Sequence, residues 1–180
     1  MSSRLERARA TRRGIRLVRT IPGADVIDAY VLDVGPPWVL MADVGDTRLD
    51  GYVAARLRNV ERVKPLAGDV FRAASERAGV WPPSLPVDAI DLSTTRTLLE
   101  TAHAHATLVN LQIERTDPDV CFIGVPTRWG PKKVWLHEVS PQAEWVDTYS
   151  KWAFSDITRV EFSSTYEGDL LLVAGLPPER

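Results

Sequence analysis

Asp50 and Asp147 stand in matching settings, each two residues before a tyrosine, Tyr52 and Tyr149. Two carboxylates brought together are the minimum equipment for general acid–base work. The same residues suit a turn: an aspartate before Gly51 or Thr148 closes the chain tightly, and each tyrosine then opens a strand. Residues repeated along a chain ordinarily maintain the repeated fold, so Asp50, Tyr52, Asp147 and Tyr149 are read as repeat-defining structural positions. His103 and His105 lie two apart in a helical stretch, which points their rings to different faces and makes poor metal geometry. His137 and Cys121 fall in expected strands with no ligand spacing or nucleophile motif beside them. They read as surface imidazoles and a small buried thiol. Gly35 and Gly51 stand alone beside proline or aspartate, which is no phosphate-cradling loop. The residues therefore predict no catalytic group, no metal and no cofactor.

Cations and aromatics offer binding chemistry instead. Arg4, Arg7, Arg9, Arg12, Arg13, Arg16 and Arg19 face only Glu6 in the first twenty residues, which gives +6 there and −8 over the remainder. A basic arm on an acidic body can neutralise phosphates or dock on an acidic protein face. Four of the six tryptophans, Trp129, Trp135, Trp145 and Trp152, cluster in the last third of the chain. Base stacking, peptide docking and core filling all use tryptophan. Arg9, Arg12, Arg13, Arg16, Arg56, Trp129 and Trp135 are the candidate partner- or nucleic-acid-binding residues.

The elements that must hold these residues come from a duplication. Residues 49–63 laid over 146–160 without a gap match Asp50 with Asp147, Tyr52 with Tyr149, Arg62 with Arg159 and Val63 with Val160. Leu49 with Val146, Leu57 with Phe154 and Val60 with Ile157 are close substitutions. Upstream, the strand-like runs at 15–18, 30–34 and 38–41 have counterparts starting at Leu108, at 121–125 and at 134–136, with proline or glycine turns between them. A helical stretch precedes each unit, at 3–10 and 93–106. A further short helix is expected over 69–78, whereas 169–174 reads as a strand. The expected division is a first helix-plus-barrel repeat over 1–80, a proline-rich linker over 81–92 and a second repeat over 93–180.

A helix followed by five short, bent strands resembles the Sm-like small barrel, and an SH3-like barrel fits the same strand pattern. The segment from Arg56 to Val63 is similar to the second Sm motif, with Arg56 kept and Leu57 in place of its glycine. Gly35 and Val39 stand where that family carries the Asp and Asn of its RNA-contacting loop, and copy two has Trp152 and Ala153 in its equivalent stretch. The resemblance implies a mainly β protein of two tandem five-stranded barrels, each preceded by a helix. It also implies RNA as a partner class and rings closed through strand edges.

With 180 residues, 44% of them apolar, the chain has material for a sizeable core. It has no apolar run of membrane-spanning length and no apolar leader in its first twenty residues, so the expected location is cytoplasmic, with no membrane partner. One cysteine excludes an internal disulfide. The expected function is a non-catalytic binding or scaffolding protein that associates with a protein partner or with itself through barrel edges or an aromatic surface. The alternative is nucleic-acid binding, of RNA above all, through the basic N-terminal arm and the Sm-like barrels.

Overall fold

The apolar runs at 15–18, 30–34 and 38–41 become strands in a computed structural model that describes residues 2–68 and 70–178. Met1, Asp69, Glu179 and Arg180 belong to the expected repeats, Asp69 to the expected 69–78 helix, and lie outside the described residues. The first half runs α1 (Ser2–Thr11), β1 (Gly14–Arg19), β2 (Ile27–Gly35), β3 (Trp38–Val44), β4 (Leu49–Arg56), β5 (Val60–Pro65) and α2 (Val70–Arg77). The second runs α3 (Thr95–His105), β6 (Val109–Gln112), β7 (Cys121–Trp129), β8 (Lys133–Val139), β9 (Trp145–Ala153), β10 (Arg159–Phe162) and α4 (Thr165–Ala174). Thr94 and Ser164 begin α3 and α4 with reciprocal capping boxes to Thr97 and Glu167, which satisfy otherwise orphaned backbone donors.

All ten strands join one antiparallel sheet in the order β5-β1-β2-β3-β4-β10-β6-β7-β8-β9. Each half contributes its fifth, first, second, third and fourth strand in that sequence. The registers agree residue by residue. Ile15 opposite Pro65 corresponds to Val109 opposite Phe162, and Leu17 opposite Val63 to Leu111 opposite Val160. Leu40 opposite Ala54 corresponds to Trp135 opposite Lys151, and Ala42 opposite Tyr52 to His137 opposite Tyr149. Even the register shifts coincide, after Ala42 and after His137. The bend expected near Asn59 and Asp156 is present in both halves, as a 3₁₀ turn at Leu57–Asn59 and a turn at 154–156.

The halves meet where β4 pairs with β10, Tyr52 through Ala55 against Phe162 through Arg159. Because side chains alternate across a sheet, this pairing sends the two cores to opposite faces. Val39, Met41, Val53 and Ala55 join Leu5, Ile15, Leu17 and Val31 in one cluster. Leu40, Ala54 and Trp38 face the other way, into the cluster of Leu98, Leu99, Leu111, Leu136, Val160 and Phe162. Copy one is thus pressed against the core of copy two. Two tandem units joined by a spacer give way here to one open sheet, since the edge strands β4 and β10 satisfy each other's backbone groups.

Other expectations change for local reasons. Residues 165–174 are helical, not a strand: the Ser164–Glu167 capping box starts the helix, and Gly175, at φ 71°, ends it. That removes the asymmetry between the halves, because α2 and α4 now follow β5 and β10 alike. Asp50 and Asp147 lie inside β4 and β9 rather than in turns, which fall earlier, around residues 46–48 and 141–143. The segment 81–92 packs down. Trp81 meets Tyr30 edge-on at 4.8 Å, the Leu85 amide donates to the Tyr52 hydroxyl, and Leu85, Ile90 and Leu92 enter the shared core.

Arg56 braces the seam. Its guanidinium donates to the Ile157 carbonyl at 2.7 Å, to Thr95 Oγ1 at 2.8 Å and to the Phe154 carbonyl, and it lies 4.6 Å over the Trp38 ring. Burial lowers its pKa to about 10, which leaves it cationic at neutral pH. Arg56→Ala strands three acceptors of the second half, so a loss of about 3 kcal/mol is expected in urea unfolding, with the whole chain still unfolding in one transition.

Candidate functional site

Two places gather ionisable and aromatic groups: the interior of the seam, and the outer face of β7, β8 and β9.

The seam holds charges that face inward. Arg19, at the end of β1, reaches across to Glu114, and both side chains are buried. Glu114 also accepts from Thr158 Oγ1 at 2.7 Å, and Arg159 pairs with Glu161 at 2.9 Å while donating to Gln112. Asn110 donates to the far oxygen of Glu161 at 3.0 Å. Beside this ladder, burial raises the Asp43 carboxyl to about 7, helped by the negative charge of Glu161. Burial likewise raises Glu167 to about 7 and moves Glu161 upward. Cys121 lies at the edge of this group and is exposed, not a buried thiol. Desolvation, then Glu161, raises its pKa, so the thiol is not activated as a nucleophile. Among the described residues no group of three or more His, Cys, Asp or Glu could hold a metal. The arrangement serves as an internal polar ladder with a surplus of carboxylate charge.

The outer face is different in kind. Trp135 on β8 has the Lys133 ammonium 5.1 Å, the Arg128 guanidinium 5.5 Å and the Lys151 ammonium 5.6 Å from its ring. The pairings Arg128 with Trp135 and Trp135 with Lys151 put these side chains on one face of adjacent strands. Arg128, Trp135 and Lys151, together with Thr127, Asp147, Thr148 and Tyr149, line an open groove of about 660 Å³. His137, buried rather than on the surface, sits between Trp145 and Tyr149 and reaches the Val146 carbonyl at 3.0 Å, which fixes the β9 side of the groove. A cation-ringed indole on a sheet face has the chemistry to take an aromatic or anionic group.

The other expected binding residues scatter. Trp129 packs partly into the core cluster with Arg96 above its ring. Arg56 faces inward at the seam, with its donors spent on internal acceptors. Arg9 pairs with Glu6 and Asp33, and Arg16 grips Asp28 through two hydrogen bonds of 2.8 and 2.6 Å. Arg12 and Arg13 are exposed. Arg13 joins Arg4 and Arg7 at the rim of a groove of about 450 Å³, floored by Ala8, Ile15, Val63 and Pro65, between α1 and β5. Asp50 holds the start of α4, accepting from the Thr165 amide and hydroxyl at 2.8 Å each. Gly51, at φ 79°, lets the backbones of β4 and Ser163–Ser164 meet there without a Cβ between them. A cleft of about 540 Å³ beside them is lined by Asp50, Tyr52, Leu85 and His105.

Sequence reasoning missed Arg128, Lys133 and Lys151 as a group. Their only signal is alternation with Trp129, Trp135 and Trp152, and strand register alone reveals that they converge. Comparison with models of known protein families, with curated proteins and with solved structures finds no match. No helix among the described residues is long and apolar enough to cross a membrane.

The raised carboxyls fix a pH dependence. An unfolded aspartate or glutamate ionises near 4, whereas Asp43 and Glu167 hold their protons to about 7. The folded state then binds more protons than the unfolded state between those values, so stability is greatest at the acid end of that window and falls as pH rises to about 7. Asp43→Asn should flatten this slope and leave the chain more stable than wild type by about 1 kcal/mol at pH 8, read from urea unfolding curves at several pH values.

Proposed function

We propose that the chain is a non-catalytic scaffold, a tandem small-barrel protein of the Sm-like or SH3-like type, that joins copies of itself head to tail through the outer strands of its sheet. The observation that carries this reading is the internal junction. β4 of copy one pairs with β10 of copy two. The ends of the sheet are β9 and β5, the same two strand types taken the other way round. An edge strand offers a row of unpaired N–H and C=O groups. β9 of one chain therefore meets β5 of the next in the register that β4 and β10 already use, with Lys151 beside Val63 and Trp152 beside Arg62. Val63 and Arg62 match Val160 and Arg159, which make those contacts inside the chain. Arg62, Lys64 and Pro65 on β5 guard that edge against unselective strand addition. A repeated heterologous contact of this kind closes into a ring or runs on as a filament.

A second reading rests on a separate observation: Arg4, Arg7, Arg12 and Arg13 have no ion-pair partner among the described residues. Free arginines on one helix and its exit suit a phosphate backbone, and removing residues 1–14 would abolish a strongly salt-sensitive affinity for RNA or DNA.

Light scattering coupled to size exclusion, over an about tenfold concentration range, tests the scaffold reading. The mass should climb above 20.0 kDa in multiples of the chain. Lys151→Pro, in the middle of β9, should hold it at one chain, because the Lys151 amide, like that of Ala54 in β4, faces the open edge and proline removes this donor. A constant single-chain mass for the wild-type protein overturns the reading.

A further inference from the structure

Inside the chain, the β4–β10 seam is more than a ladder of backbone hydrogen bonds. Leu40 and Ala54, fully buried, press from copy one into the cluster that contains Ala102, Val109, Val160 and Phe162 of copy two. The last four form a cradle of helix, first strand and fifth strand. The shared register shows what occupies the equivalent places at the open ends. Trp135 and Lys151 stand where Leu40 and Ala54 stand. Ile15, Val63 and Pro65 stand where Val109, Val160 and Phe162 stand, and Ala8, like Ala102, lies seven residues before the first of these. Ala8, Ile15, Val63 and Pro65 floor the open groove of about 450 Å³ between α1 and β5. One end of the molecule carries the knob and the other end carries its empty cradle.

We propose that Trp135 of one chain seats in the α1–β5 groove of the next, and that the cations collected around it hold this contact weak until they are screened. The proposal rests on the head-to-tail reading above and specifies its contact. The groove suits an indole. Its floor is apolar, and Arg4, Arg7 and Arg13 at its rim supply guanidinium groups that favour an aromatic face. Tryptophan in place of leucine fits the difference in surroundings, since an indole tolerates a partly polar rim that a buried leucine does not need. The cost is charge. Arg128, Lys133 and Lys151 travel with Trp135 and meet Arg4, Arg7 and Arg13, with Asp147 the acidic side chain lining the Trp135 groove. Like charges in a partly desolvated contact repel strongly, and salt relieves that repulsion. The internal seam has no such conflict, because alanine and leucine fill the corresponding places.

Sedimentation velocity on the full chain, at about 0.05 and 0.5 M salt, reads both parts. Association should tighten with salt, the reverse of phosphate binding. Trp135→Ala should weaken it about tenfold, and Lys151→Glu should tighten it about tenfold at the lower salt by setting an acid among Arg4, Arg7 and Arg13. Far-UV circular dichroism checks that each variant keeps the wild-type fold. If wild type associates and Lys151→Pro abolishes this while Trp135→Ala and Lys151→Glu leave it unchanged, the knob-and-cradle contact is wrong and edge pairing stands. If wild type and Lys151→Glu both remain single chains at either salt, the head-to-tail reading fails and this contact with it.

Discussion

The antiparallel pairing of β4 with β10 is the constraint around which the rest of this protein is arranged. It turns two five-stranded halves into one sheet, and through the alternation of side chains it decides that their cores lie on opposite faces. Four paired positions would hold two domains together poorly by themselves. The seam is reinforced on one face by Trp38, Leu40 and Ala54 entering the neighbouring core, and on the other by the ladder of Arg19, Glu114, Thr158, Arg159 and Glu161. Buried ions are expensive to desolvate, so this ladder contributes specificity of register rather than raw stability: a slip by one residue would bury each charge without its partner.

The same constraint explains the unusual state of the carboxylates nearby. Asp43, Glu161 and Glu167 are drawn into a region with fewer cations than anions, and burial raises all three. They are consequences of joining the halves, in the way that Asp50 capping α4 is a consequence of β4 lying beside β10. Perturbed groups of this sort often mark an active site. Here they sit among structural partners, and the exposed Cys121 beside them is made less reactive, not more. The cation-ringed Trp135 lies away from them, near one end of the sheet.

Duplication gives the molecule two versions of each surface, one used and one open. Leu40 is covered while Trp135 is accessible, and Val160 is covered while Val63 floors a groove. The open versions lie toward the two ends of the sheet. Arg56, in the stretch whose sequence resembles the second Sm motif, is committed to the seam.

What the sequence determined by itself is the repeat and most of its elements. The match of 49–63 to 146–160 carries through to identical strand order and register, because alternating apolar residues specify which face of each strand is buried. α1, α2 and α3 were legible in the sequence, whereas the apolar run at 169–174 fits either a strand or a helix until the Ser164–Glu167 capping box is given weight. Tertiary structure alone decided how the copies join. Nothing local distinguishes an edge strand that pairs within its own chain from one that stays open, since the backbone groups are the same in both. The fates of Arg56 and Trp135 followed from that choice. An arginine beside the seam was enclosed by acceptors from the other half, while three cations distant in sequence were brought around one indole by the register of β7, β8 and β9.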